Sequence, residues 1–117
     1  MKHLKTLIDW TSAETVAVLS TAHQLKNEWR SGKREPYLAG HTLTMLFEKP
    51  SLRTRNSFET AMIQLGGAGI FLTTKEAGLK GRESLADVAR VISGYSDFIA
   101  IRTFKQQFIN DFSDWSS

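Results

Sequence analysis

The sequence predicts an α/β domain in which helices flank a parallel sheet, and three observations lead there. Short apolar runs rich in β-branched and large side chains recur at 41–47, 68–73 and 97–101. Amphipathic helical patterns separate these runs, and Gly40, Pro50 and Gly66-Gly67 punctuate the junctions. Strands alternating with helices imply parallel pairing, right-handed crossovers and helices packed on the faces of the sheet.

The elements follow in order along the chain. Thr11 with Glu14 three residues later forms a capping box, and Val18, Ala22, Leu25 and Trp29 line one face of a first helix that Ser31-Gly32 ends. HTLTMLF at 41–47 reads as a buried strand. From Arg53 onward Phe58, Met62 and Leu65 repeat at helical spacing, Arg55 and Glu59 stand four apart, and Gly66-Gly67 terminate the second helix. AGIFLT at 68–73 is the second strand. The segment 75–82, KEAGLKGR, has two glycines, three basic residues and one large apolar side chain, which predicts a mobile surface loop. Ser84 and Asp87 then cap a third helix whose Val88, Val91, Ile92 and Tyr95 share a face. DFIAI at 97–101 is the third strand, ending at Arg102, and Phe104, Phe108 and Phe112 form the stripe of a final short helix.

Composition narrows the classes. At 117 residues there is room for one domain with a modest core, since domains commonly span ~100 to 200 residues. A hydrophobic share of 41% and a charged share of 23% argue against disorder, and no apolar run approaches the roughly 20 residues of a bilayer crossing. The amino-terminal ten residues lack the features of a signal peptide, so the expected location is the cytoplasm. The absence of cysteine excludes disulfides and thiolate metal sites. A net charge of +3 comes from basic residues spread among acids, which suits an anionic small molecule better than nucleic acid. His3, His23 and His41 show no metal-ligand spacing.

The densest chemistry lies in FEKPSLRTRNSFE, 47–59, where a strand gives way to a helix. The first amides of that helix have no intrahelical partners and carry partial positive charge. Ser51 and Thr54 add hydroxyls, while Arg53 and Arg55 add guanidinium groups able to grip phosphate oxygens in pairs. Arg102 ends a different strand, and in parallel sheets ligands gather at the carboxyl ends. The plainer alternative makes Ser51 a helix cap and pairs the arginines with Glu48 and Glu59. Neither a glycine-rich P-loop nor G-x-G-x-x-G is present.

FEKPSLRTRNSFE resembles the carbamoyl-phosphate signature of the aspartate and ornithine carbamoyltransferase family. KHLKTLIDWTSAE, LGGAGIFLTT, GRESLADVARVISGYSD and IAIRTF stand in that family's order and spacing, so the likeness covers the whole chain. FEKPS together with IRTF is more similar to the ornithine branch than to the aspartate branch, which tends to carry a different residue where Lys49 stands.

The resemblance implies that 1–117 is most of the amino-terminal, carbamoyl-phosphate-binding domain. It implies transfer of a carbamoyl group from carbamoyl phosphate to an amino-acid acceptor, ornithine first, with no metal or organic cofactor. Ser51, Arg53, Thr54 and the Leu52 amide would hold the phosphate, and Arg55 would support the turn. Arg102 and Thr54 would act at the carbamoyl oxygen. An intact relative would be a homotrimer, in which a neighbouring subunit's loop completes the site; the ornithine-type position falls on Gly78, the aspartate-type one near Gly81, and Lys80 is close enough to substitute. Leu52 departs from the family's usual threonine. The later H-P-x-Q, D-x-x-x-S-M-G and H-C-L-P elements do not occur in these 117 residues, which implies an incomplete catalyst. Another acceptor (acetylornithine, putrescine or aspartate) and a non-catalytic anion-binding or oligomerisation module are the competing readings; nucleic-acid binding is a distant third.

Overall fold

Five consecutive buried residues, Leu43, Thr44, Met45, Leu46 and Phe47, make strand β1 (Thr42–Phe47) the centre of the structure. A run buried on both faces is the mark of an inner parallel strand. The computed structural model describes residues 3–79 and 84–116, which fall into two compact units, Met1–Glu35 and Pro36–Ser117.

In the first unit a 3-10 turn, Leu7–Asp9, precedes helix α1, Ser12–Arg30. The predicted capping box is present: the Thr11 hydroxyl accepts from the Glu14 amide at 3.1 Å, and the Glu14 carboxylate accepts from the Thr11 amide at 3.0 Å. Gly32, at φ +93°, follows the last turn. The Arg34 guanidinium lies over the Trp29 ring at 3.5 Å and donates to the Trp29 carbonyl at 2.7 Å. No residue of α1 is buried, and Val18 on its predicted face is exposed. Within this unit one helix and a single turn supply no second layer against which an apolar stripe could be buried.

The second unit is the α/β body. Helix α2 (Leu52–Gln64) leads to β2 (Ala68–Thr73), α3 (Leu85–Tyr95) leads to β3 (Phe98–Arg102), and α4 (Gln106–Trp115) follows. The three strands are parallel in the order β2-β1-β3. Because alternate side chains of β1 point to opposite faces, Leu43, Met45 and Phe47 pack with Met62 of α2, whereas Leu46 packs with Val88, Ala89 and Ile92 of α3 and Phe112 of α4. Thr44 faces the α3 side with its hydroxyl hydrogen-bonded to that of Ser96, so its burial leaves no orphaned polar group. The connection from β1 runs over one face to β2, and the one from β2 returns over the other face to β3. Parallel sheets with helices on both faces are built this way.

Several boundaries differ from expectation; β3, for one, runs Phe98–Arg102 rather than 97–101. β1 starts at Thr42, because the His41 backbone turns to close the preceding loop (His41 N–H to Leu38 C=O, 3.0 Å) while its ring stacks on Phe98. Phe104 is not on the last helix; it sits in the bend before α4 and is 68% exposed, whereas Phe108 and Phe112 stack and pack into the core. The start of the 75–82 loop is an ordered turn: Thr73 and Glu76 exchange side-chain to amide hydrogen bonds at 3.1 Å, and Leu79 N–H returns to Thr74 C=O at 3.0 Å. Ala77 and Leu79 pack on the core, which supplies the apolar anchorage that the count of large side chains understates. Lys80, Gly81 and Glu83 lie outside the described residues.

Among the described residues no helix is long and apolar enough to cross a membrane, and no group of three His, Cys, Asp or Glu side chains could hold a metal ion. Two stability predictions follow from the packing. Gly66 sits at φ +88°, and a Cβ built on it would lie 2.7 Å from the Cβ of Pro36. Gly66→Ala should therefore lower unfolding free energy by at least the ~1–2 kcal/mol of a left-handed side-chain residue. Leu46→Ala should cost about 2–5 kcal/mol, as a fully buried leucine in a rigid core does. Urea denaturation of each variant measures both.

Candidate functional site

The ladder fixes which chain segments meet at the carboxyl edge of the sheet. Phe47, the last residue of β1, pairs with Thr73 on one side and Arg102 on the other. One residue on, the Glu48 amide donates to the Arg102 carbonyl at 2.7 Å. The junction that holds 49–55 is therefore directly beside the junction that follows Arg102. After β1 the chain passes to the face covered by α2, and after β3 to the face covered by α4. Adjacent loops departing to opposite faces open a crevice at the carboxyl edge of such sheets.

Ser51 is the N-cap residue of α2, in extended conformation, yet its side chain makes no capping bond. Its hydroxyl donates instead to the Thr54 hydroxyl at 2.8 Å. The first intrahelical bond runs from Arg55 N–H to Ser51 C=O, so the amides of Leu52, Arg53 and Thr54 precede the helical ladder. The first turn contains no acidic residue and does contain two arginines. Cations at a helix N-terminus oppose the macrodipole by about 0.3–1 kcal/mol each when exposed, so the arrangement works against the helix unless an anion is seated there.

The two arginines of the turn are placed differently. Arg55 is committed: its Nε donates to Glu59 at 2.8 Å and its guanidinium lies 3.8 Å from the centre of the Phe71 ring on β2. The predicted Arg55–Glu59 pair is thus formed and braces α2 against the sheet. Arg53 is exposed, as is Leu52, whose side chain is 75% accessible and leaves its amide as the group at the turn.

Arg102 is half-buried, and its Nε is fully shielded from solvent without a hydrogen-bond partner among the described residues. A buried donor left unpaired costs about 1–3 kcal/mol, and more when charged. An acceptor arriving from the crevice removes that cost. Gly78 is buried at φ +83° with its amide bonded to the Lys75 carbonyl at 3.0 Å, so it serves the turn after β2; Lys80 lies outside the described residues.

The sequence reading treats Glu48 only as a counter-ion for nearby arginines and gives Thr103 no role. In the fold the Glu48 carboxylate accepts from the Thr103 hydroxyl at 2.6 Å and from the Phe104 amide at 3.0 Å. Lys49 Nζ stands 5.2 Å from the centre of the Phe104 ring. These residues stitch the two junctions together. The only signal in the sequence is the absence of any Gly, Pro, Asn or Asp at 103–105, where a turn has to form.

Comparison with known proteins identifies the fold and the family. The sequence profile of the aspartate/ornithine carbamoyltransferase, carbamoyl-P binding domain, matches residues 2–117. Ornithine carbamoyltransferase of Campylobacter hominis is 45% identical over 117 residues, which is all of this chain and 38% of that protein. Ornithine carbamoyltransferase from Pyrococcus furiosus superposes with a TM-score of 0.95 at 39% identity, over 99% of this chain and 37% of that one. The catalytic subunit of M. jannaschii aspartate transcarbamoylase superposes with a TM-score of 0.89 at 39% identity, over 100% of this chain and 39% of that one. The chain spans less than two-fifths of the length of these relatives. It belongs to the aspartate/ornithine carbamoyltransferase family, and what it carries of that family is the carbamoyl-P binding domain.

Proposed function

We propose that this chain binds carbamoyl phosphate at the carboxyl edge of its sheet, as the donor-binding part of an enzyme that carbamoylates ornithine to citrulline with release of phosphate. The observation that carries the reading is the Arg102 Nε, shielded and without a hydrogen-bond partner among the described residues, at the strand end that pairs with Phe47 ahead of α2. In this reading the phosphate is held by Ser51, Arg53, Thr54 and the Leu52 amide, and Arg55 supports the turn from its pairing with Glu59 and Phe71. Arg102 reaches both the phosphate and the carbamoyl oxygen, and Thr54 stands near that oxygen.

The chemistry follows from the charges. A neutral amine nitrogen forms a bond to the carbamoyl carbon, and the carbonyl electrons move onto oxygen. When the carbonyl re-forms, the carbon–oxygen bond to phosphate breaks, phosphate leaves with the electron pair, and the nitrogen loses a proton. Donors fixed around the carbonyl oxygen and the leaving group stabilise charge that is larger in the transition state than in the substrate. Removing one such donor commonly costs about 10²–10³ in rate.

Ornithine is favoured as acceptor by the names of the curated relatives at 40–45% identity, and arginine biosynthesis is the corresponding setting. Aspartate is the second reading, because an aspartate enzyme's catalytic subunit is as similar in sequence as an ornithine enzyme's. A cytoplasmic homotrimer, with 1–117 forming one donor-binding domain of each subunit, completes the proposal.

Calorimetric titration with carbamoyl phosphate tests the site. Arg53→Ala and Arg102→Ala should each weaken binding about tenfold or more, the worth of a charged hydrogen bond; indifference of both variants would remove the proposal. Arg55→Ala should instead lower thermal stability more than affinity, because its contacts are to Glu59 and Phe71. The 117 residues alone, matching only the donor-binding domain, should form no citrulline from carbamoyl phosphate and ornithine in a colorimetric assay, since binding the donor leaves acceptor orientation unsupplied.

A further inference from the structure

We propose that Glu48 is a positioning residue: through Thr103 and Phe104 it fixes the exit of β3, and with it Arg102, against the β1–α2 junction. The inference rests on the carbamoyl-phosphate reading for its functional meaning, but its geometric content stands on hydrogen bonds that are independent of any ligand.

Three consecutive residues of the β3 exit are tied to Glu48. Its amide donates to the Arg102 carbonyl at 2.7 Å, and one carboxylate oxygen accepts both the Thr103 hydroxyl at 2.6 Å and the Phe104 amide at 3.0 Å. The Thr103 oxygen also receives a long contact, 3.5 Å, from the Lys105 amide. These partners are 55 and 56 residues away in sequence. The segment at 103–105 contains no Gly, Pro, Asn or Asp, its local contact from the Lys105 amide to the Thr103 hydroxyl is long, and the N-cap residue of α4, Lys105, makes no side-chain capping bond. The carboxylate of the neighbouring junction supplies the acceptor that a local Asp or Asn supplies elsewhere.

A carboxylate beside an anion site repels the anion, and at short range that opposition amounts to about 1–4 kcal/mol in a semi-exposed setting. Its oxygen is the acceptor that holds the bend. With the bend held, the Arg102 backbone is fixed at a strand end, and its guanidinium searches fewer orientations before meeting an anion, which lowers the ordering cost of binding. Glu48 touches no reacting atom in this role. It acts through Arg102.

The test has two readouts. In isotope-labelled chain, the Nε–H resonance of Arg102 reports the order of that side chain directly. It should be ordered in wild type and in Thr103→Ser, which keeps the hydroxyl, and should average toward a free guanidinium in Thr103→Val and Glu48→Ala. Glu48→Gln keeps an acceptor oxygen without the charge and should fall between wild type and Glu48→Ala. Unchanged Arg102 order in both Thr103→Val and Glu48→Ala, with both variants folded by circular dichroism, overturns the inference whether or not any ligand binds. Should Glu48→Ala fail to fold, Thr103→Val decides alone. Calorimetry with carbamoyl phosphate supplies the second readout: Thr103→Val should weaken binding about tenfold in the wild-type background and have little effect when Arg102 is already alanine, since a residue acting through Arg102 is not additive with its loss. Full additivity counts against the inference. Absence of binding by wild type contradicts the carbamoyl-phosphate reading, and the resonance then still decides the positioning role.

Discussion

The parallel pairing of β1 with β3 decides which residues meet at the carboxyl edge of the sheet. Phe47 lies opposite Arg102, so the last residue of one strand and the cation-rich turn after the other share an edge. Slipping that register by one residue would turn the alternate side chains of a strand to the wrong face. The core resists it. Leu46 and Met45 are completely buried on opposite sides of the sheet, each locked among residues of a different helical layer. Core packing thereby holds the carboxyl edge in place.

The edge itself is built against local preference. The first turn of α2 carries arginines where acids would help, its capping hydroxyl is spent on Thr54, and a leucine is exposed at its start. Each is a small cost to the helix. They are affordable because α2 is anchored elsewhere, through Met62 in the core and through Arg55, whose guanidinium bridges Glu59 and the Phe71 ring. One arginine of the turn, Arg55, is committed to structure, and the other, Arg53, is exposed to solvent.

The exit of β3 is organised by a different device. Within 103–105 the Lys105 amide makes a long contact of 3.5 Å to the Thr103 hydroxyl, and the shorter bonds that shape the bend come from Glu48 at the end of the neighbouring strand. The opposite solution appears after β2, where Thr73 and Glu76 exchange hydrogen bonds locally and Gly78 supplies a left-handed residue. That turn is self-sufficient and packs Ala77 and Leu79 on the core. Counting large apolar residues in 75–82 points to a mobile loop because the count cannot register a reciprocal side-chain to amide pair or a half-buried alanine packed on the core.

The sequence by itself determined the order and kind of every main element in the α/β body, the capping box of α1, and the Arg55–Glu59 pair. All are local: they depend on spacings of two to four residues, which a chain displays before it folds. It also determined the family, because signature segments fall in order along the whole length. Only the tertiary structure decided that Glu48 accepts from Thr103, that the Arg102 Nε is shielded without a hydrogen-bond partner among the described residues, and that Phe104 leaves the aromatic stripe to face Lys49. Those outcomes depend on which strand lies next to β1, a choice made by burial over more than fifty residues of separation and invisible to any short window.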